Sequence, residues 1–159
     1  MFIDACAIVS MMAGEDTAGA YAKALASASV AWTSALAAWE AIIVLSRPDQ
    51  LNCRFSDAEG AVVEWLEARE IALRDPPSPR QTLAHAVAVA EKHGVGKRAL
   101  RNFDCFDYAY AKATDEPLLT LDRLLRDTDV ATRPSAAEWF IVPPMKSRML
   151  KLSRSLRNA

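Results

Sequence analysis

Four acidic side chains, Asp4, Glu40, Asp104 and Asp122, lie far apart in the chain but stand at related places in it. Asp4 closes the apolar pair Phe2-Ile3, and Asp122 follows Pro117-Leu118-Leu119-Thr120. Glu40 lies two turns into the helix expected after Val30-Ala31-Trp32-Thr33. Asp104 opens a helix after a basic, glycine-containing loop. If the apolar runs are parallel strands, ligands bind beyond their C-terminal ends, and winding gathers these acids at one edge. Carboxylates gathered in a cleft repel one another and cannot all stay ionised and unpaired. A hard divalent cation resolves the conflict, and Mg²⁺ takes oxygen ligands. Such an ion activates water and stabilises charge on a phosphoryl oxygen, which suits phosphodiester hydrolysis. No Cys/His cluster has the spacing of a zinc site.

The elements that must position these acids can be read from the patterning. Phe2-Ile3 reads as a first strand, followed at once by a helix that Gly14 interrupts, and Glu15 to Ser29 is Ala-rich and helical in propensity. Val30–Thr33 reads as a second, buried strand. Ser34 suits the N-cap of a helix that runs to Arg47-Pro48, where proline stops it. Ser56-Asp57-Ala58-Glu59 has the form of a capping box, with a helix to about Arg69. Glu70–Arg74 alternates as a third strand would. Ser78-Pro79-Arg80-Gln81 is a second capping box, whose helix runs to His93 and ends at Gly94. Val95–Asn102 is the basic loop, Asp104 to about Lys112 a helix, and Pro117–Thr120 a fourth strand. A short helix and an edge strand near Val130 follow. Strands alternating with helices predict an α/β fold, three layers of α/β/α with a mostly parallel sheet of four to five strands.

Of the 159 residues, 52% are hydrophobic and 25% charged, the balance of a soluble globular domain. Net charge is −1, but it is unevenly spread. Residues 146–159 carry five basic side chains and no acid, whereas 1–145 carry all 20 acids and 14 basic residues, a net −6. Pro143-Pro144 reads as a break, which divides the chain into a nuclease-like domain over 1–142 and a basic C-terminal tail over 143–159. Cys6, Cys53 and Cys105 are odd in number and lack metal spacing, so they read as reduced thiols in a cytoplasmic protein. No signal peptide is visible, and the apolar stretch Ala5–Gly14 is too short to span a bilayer.

Each feature also has a plainer reading. A single acid is more often a solvated side chain or a helix cap than a ligand, and Asp104 fits an N-cap. Asp4 resists that reading, because a carboxylate ending a buried strand needs a partner. Ser34 is first a helix cap, with a phosphate-positioning role as the sharper alternative. Lys97, Arg98 and Arg101 sit just before Asp104 and are either a backbone-binding strip for RNA or a solvated loop. Neither His85 nor His93 is needed as a ligand. Trp32, Trp39, Trp65 and Trp139 read as core or interface, and Cys105 as a small buried hydrophobe.

Taken in order, the motifs resemble the PIN-domain ribonucleases of the VapC toxin type. Phe2-Ile3-Asp4-Ala5-Cys6-Ala7-Ile8-Val9 looks like the family's opening strand, acid and small-residue turn. Thr33-Ser34-Ala35 with Glu40 is similar to its second motif, Arg101-Asn102-Phe103-Asp104-Cys105-Phe106 with Tyr108-Ala109 to its third, and Glu116–Asp122 to its fourth. The likeness covers residues 1 to about 131. It implies an endoribonuclease toxin that hydrolyses RNA with Mg²⁺ or Mn²⁺ held by Asp4, Glu40, Asp104 and Asp122. It also implies a cognate antitoxin, an RNA substrate, a homodimer and no membrane association. The chain departs from the pattern in three places: Phe103 replaces the usual Gly, Asp107 is an additional acid one turn after Asp104, and Leu124 stands where an acid is common. The Thr-x-Asp form selects Asp122, with Asp127 and Asp129 as alternatives for the fourth ligand and Asp107 as a further candidate. The rival from another class is a catalytically inactive PIN-fold module that binds protein or RNA. A response-regulator receiver needs paired acids after strand one, and a haloacid-dehalogenase phosphatase needs Asp-x-Asp there; Ala5-Cys6 fits neither.

Overall fold

The computed structural model describes residues 1–76 and 78–135, so the expected domain boundary near 142, the basic tail and Trp139 lie outside the described residues. Among the described residues, five short strands form one sheet: β1 (Phe2–Ile3), β2 (Trp32–Thr33), β3 (Ala72–Leu73), β4 (Leu118–Leu119) and β5 (Thr132–Arg133). Their order is β3-β2-β1-β4-β5 and every neighbouring pair is parallel. Seven helices connect and flank them: α1 (Ala5–Ala13), α2 (Ala18–Ala26), α3 (Ala35–Leu45), α4 (Phe55–Glu67), α5 (Pro79–His93), α6 (Asn102–Thr114) and α7 (Arg123–Arg126).

The period-two pattern of the central strands divides the core. Phe2, Trp32 and Leu118 point to the side covered by α5, α6 and α7, where they meet Val89, Tyr108 and Leu125. Ile3 and Leu119 point to the other side and pack with Ile8, Leu45 and Val62 from α1, α3 and α4. Central parallel strands are buried on both faces and so are apolar throughout, which is why Phe2-Ile3 and Leu118-Leu119 are wholly buried. The edge strand β3 exposes Ala72 and Leu73. The result is the expected three-layer α/β/α arrangement, with a sheet that is entirely rather than mostly parallel.

Helix ends follow local chemistry. Gly14 adopts φ 70° and donates its N–H to Ser10 O, ending α1 in the left-handed cap that glycine accepts without penalty. Ser34 and Ser78 cap α3 and α5, with Pro79 at the first position of the latter. The box at Ser56 does not form. Helix α4 begins two residues earlier than that cap implies, at Phe55, with Arg54 paired to Asp57 at 3.0 Å across the first turn and Ser56 inside the helix. The helical stretch after Gly14 is also shorter than its composition implies, since residues 14–17 form a turn before α2.

Candidate metal centre

The register Ile3↔Leu119 brings the residues that follow, Asp4 and Thr120, side by side at the C-terminal edge of the sheet. Asp4 is buried and serves as the N-cap of α1. Its Oδ2 accepts from Thr120 Oγ1 at 2.6 Å and from Cys6 Sγ at 2.8 Å, and its Oδ1 accepts from the Cys6 N–H at 3.1 Å. Tyr21 Oη stands 3.2 Å from the same sulfur and accepts the Leu121 N–H at 2.9 Å, which ties α2 to the end of β4. Burial pushes the Asp4 carboxyl above its ordinary range; the Cys6 and Thr120 hydrogen bonds oppose that, and the charge of Asp104 adds to it.

Asp104 is the third residue of α6 and is buried. Its carboxylate reaches back to the Arg101 N–H at 2.7 Å and pairs with the Arg101 guanidinium at 3.0 and 3.3 Å. Glu40 projects from α3 with 12% of its side chain exposed and approaches the same guanidinium at 3.7 Å. Burial, then the charge of Asp4, raises the Glu40 carboxyl from 4.5 to about 7, while Arg101 pulls the other way. Arg101 is held firmly as a cation, first by its hydrogen bonds to Asp104 and then by the charges of Glu40 and Asp122.

Asp107 lies one helical turn beyond Asp104 and is 1% exposed. Its Oδ2 has no hydrogen-bond partner. Burial drives this carboxyl well above the carboxylate range, and Asp4, Glu40 and Asp104 drive it further. Asp122 is half-buried and caps α7: Oδ1 accepts from the N–H groups of Leu124 at 2.8 Å and Leu125 at 3.2 Å. Its own N–H donates to Thr120 Oγ1 at 3.1 Å.

Asp4, Glu40, Asp104 and Asp107 therefore share one electrostatic site, with Asp122 at its rim through Arg101. Asp129 does not join them. It is exposed and bound to Tyr108 Oη at 2.8 Å and Lys112 Nζ at 2.9 Å, and these two lower its carboxyl to about 2. Asp127 is exposed beside Arg123 at 4.0 Å. Ser34 is wholly buried with its Oγ engaged by the Ala37 N–H at 3.0 Å, the capping role read for it first from sequence. Lys97 and Arg98 are exposed on the loop before α6, whose turn depends on Gly96 at φ 143°. Thr120, Cys6 and Tyr21 were missed as site residues. The signal for Thr120 was available, since parallel neighbours of β1 and β4 end together. Tyr21 left none, because its approach is purely tertiary.

Among the described residues no three His, Cys, Asp or Glu side chains stand close enough to enclose an ion as they are. Asp104 and Glu40 flank the Arg101 guanidinium instead. The donor set nevertheless fits a hard cation: oxygen ligands only, more negative than positive charge, and a buried oxygen without a partner.

The PIN-domain family model matches residues 1–131, and the chain belongs to that family. Within it, the relatives carry the VapC name. The chain is 39% identical over 122 residues to the VapC ribonuclease Mb0625 of Mycobacterium bovis, covering 75% of this chain and 86% of that protein. Ribonuclease VapC28 of Mycobacterium tuberculosis matches equally. Ribonuclease VapC of Mycolicibacterium smegmatis is 30% identical over 132 residues, covering 82% of this chain and 98% of that protein.

Proposed function

We propose that the chain is a metal-dependent endoribonuclease of the VapC type, the toxin of a toxin–antitoxin pair. The observation that carries this reading is the meeting of Glu40 and Asp104, from α3 and α6, on the Arg101 guanidinium, with the buried Asp4 at the end of β1 near enough for its charge to bear on Glu40. These three carboxylates would hold Mg²⁺ or Mn²⁺, which supplies Lewis-acid stabilisation of phosphoryl charge and an activated water.

The chain's own residues do the rest. Thr120 and Cys6 fix the Asp4 carboxyl by three hydrogen bonds, so its orientation is set before any ligand arrives. The Arg101 N–H fixes Asp104 from the helix side. Lys97 and Arg98, exposed just before α6, offer phosphate contacts to RNA on the approach to the site. Arg101, held by Asp104 and Glu40, would be free to join that basic strip if those carboxylates took up a cation.

The names of the relatives support RNA as substrate, and the family association supports a cognate antitoxin and a homodimer as partners. Cytoplasmic residence fits the three free cysteines and the fact that, among the described residues, no helix is long and apolar enough to cross a membrane.

The test is cleavage of a mixed RNA pool by purified, antitoxin-free protein with EDTA, Mg²⁺ or Mn²⁺, alongside Asp4→Asn and Asp104→Asn. Cleavage that requires metal and falls by roughly 100-fold or more in both folded variants is expected. Full activity in either variant would remove that residue from the site. No cleavage with any metal by folded protein would favour a non-catalytic binding module.

A further inference from the structure

The motif pattern points to Asp122 as the fourth acidic ligand, but the physical state of the two candidate side chains points elsewhere. One oxygen of the Asp122 carboxylate is already engaged. Its Oδ1 accepts two backbone N–H bonds that start α7, a capping role that Asp fills well and that fixes the carboxylate toward its own helix. Its charge bears on the site through the long Arg101 side chain, whereas Asp107 answers to burial and then to the charges of Asp4, Glu40 and Asp104.

Asp107 is the opposite case. It is three residues after Asp104 in α6, so the two acids share one face of the helix. It is 1% exposed, and Oδ2 finds no donor. An unpaired buried polar atom costs free energy, and a buried charge costs far more unless something pairs with it. The groups that bear on it are Asp4, Glu40 and Asp104, one from each element that forms the site, with Arg101 as the opposing charge. An acid in this place is costly to the fold unless a positive charge is received there. Neutral side chains of similar volume would fill the space without that cost.

We propose that Asp107, rather than Asp122, supplies the fourth carboxylate of the divalent-cation site. The proposal rests on the metal-dependent reading above and names its ligand set: Asp4, Glu40, Asp104 and Asp107. Asp122 then acts as the cap of α7 and keeps the end of β4 in place through its N–H bond to Thr120.

The experiment measures Mn²⁺ binding to the full chain after EDTA stripping, by the electron paramagnetic resonance signal of free Mn²⁺. Asp107→Asn and Asp122→Asn are compared with wild type and with Asp4→Asn, and thermal unfolding verifies that each variant folds. Asparagine has the shape of a protonated aspartic acid, so a neutral packing role at 107 survives the change and a ligand role does not. It is also an equally good helix cap, so α7 is kept at 122. Asp107→Asn should weaken Mn²⁺ binding at least about tenfold, and Asp122→Asn should stay within about threefold of wild type. Asp107→Ser, smaller and free of clash, serves if the Asn variant does not fold. Wild-type binding by the folded 107 variant, or a loss at 122 as large as that at 107, overturns the assignment. Unchanged binding by Asp4→Asn would instead remove the metal site as a whole, and this inference with it.

Discussion

Glu40 makes the metal-free protein sensitive to pH in a direction opposite to most carboxylates. Its carboxyl stands near 7 in the folded protein against an ordinary 4.5, so over that interval the native state keeps a proton that the unfolded chain has lost. Stability then falls as pH rises: the contribution is fully present below about 4.5 and is gone once pH has passed through about 7. At about 1.4 kcal/mol per pH unit the displacement corresponds to roughly 3 kcal/mol, as an upper bound. Glu40 keeps 12% of its side chain exposed and lies beside Arg101, itself 61% exposed, so solvent screening reduces this to about 1–2 kcal/mol. Glu40→Gln is neutral at every pH and mimics the protonated acid. In EDTA, the variant and wild type should unfold alike near about pH 5, and the variant should be more stable by about 1–2 kcal/mol near about pH 8. For a chain of this size that is roughly 2–8 °C in Tm. Urea unfolding followed by circular dichroism across the pH series provides the free energies. Parallel wild-type and Glu40→Gln curves, or a wild type that gains stability on the variant as pH rises, would refute the claim that a desolvated Glu40 sits in a field of like charge.

Thr120→Val keeps the volume but removes the 2.6 Å hydrogen bond to Asp4 and the acceptor for the Asp122 N–H. A stability loss of about 1–3 kcal/mol is expected in urea unfolding, because polar groups are left unpaired. Mn²⁺ affinity should fall by roughly tenfold, because Asp4 is then free to turn. Lys97→Ala and Arg98→Ala should leave Mn²⁺ binding unchanged and weaken RNA binding. The slope of log affinity against log salt should drop by about 0.7 for each single-strand phosphate that is no longer neutralised. An unchanged slope in fluorescence-anisotropy titrations would take the loop off the RNA path.

The order of elements was legible because the central strands are short apolar pairs between helix signals that obey simple local rules. Phe2-Ile3, Trp32-Thr33 and Leu118-Leu119 are buried on both faces, and their flanking acids and hydroxyls mark where the sheet ends. Gly14, Ser34 and Ser78 fixed their helix ends through backbone chemistry alone. Ser56 misled because an Arg54–Asp57 pair starting two residues earlier spans the first turn instead. The places of Asp4, Glu40 and Asp104 relative to the sheet edge were legible from their position after or beside the strands. The state of the fourth acid was not, since whether Asp107 finds a donor and whether Asp122 spends its carboxylate on a cap are questions of packing. The double use of Arg101 was hidden for the same reason: a residue read from sequence as a phosphate contact meets Glu40 only because α3 and α6 pack together.

The four carboxylates that share the site differ in how far the protein satisfies them, and the gradient separates two duties. Asp4 accepts three hydrogen bonds, and Asp104 accepts a backbone N–H and a guanidinium. Such carboxylates are oriented by the fold and contribute geometry. Glu40 has only a distant share of Arg101, and Asp107 has an oxygen with no donor at all. These two carry the electrostatic cost and, on the proposed reading, would gain most from a cation. A fold that satisfied all four would be more stable and would have nothing left to offer a metal ion; one that satisfied none would not hold them together. Arg101 lets the chain stand between these limits. It is tied to Asp104 by its own backbone as well as its side chain, so it neutralises part of the cluster in the folded protein. It is also 61% exposed on a loop end, so it can leave without disturbing the core. On the proposed ligand set, the affinity for a divalent ion would be set by what Asp107 and Glu40 gain less what Arg101 gives up.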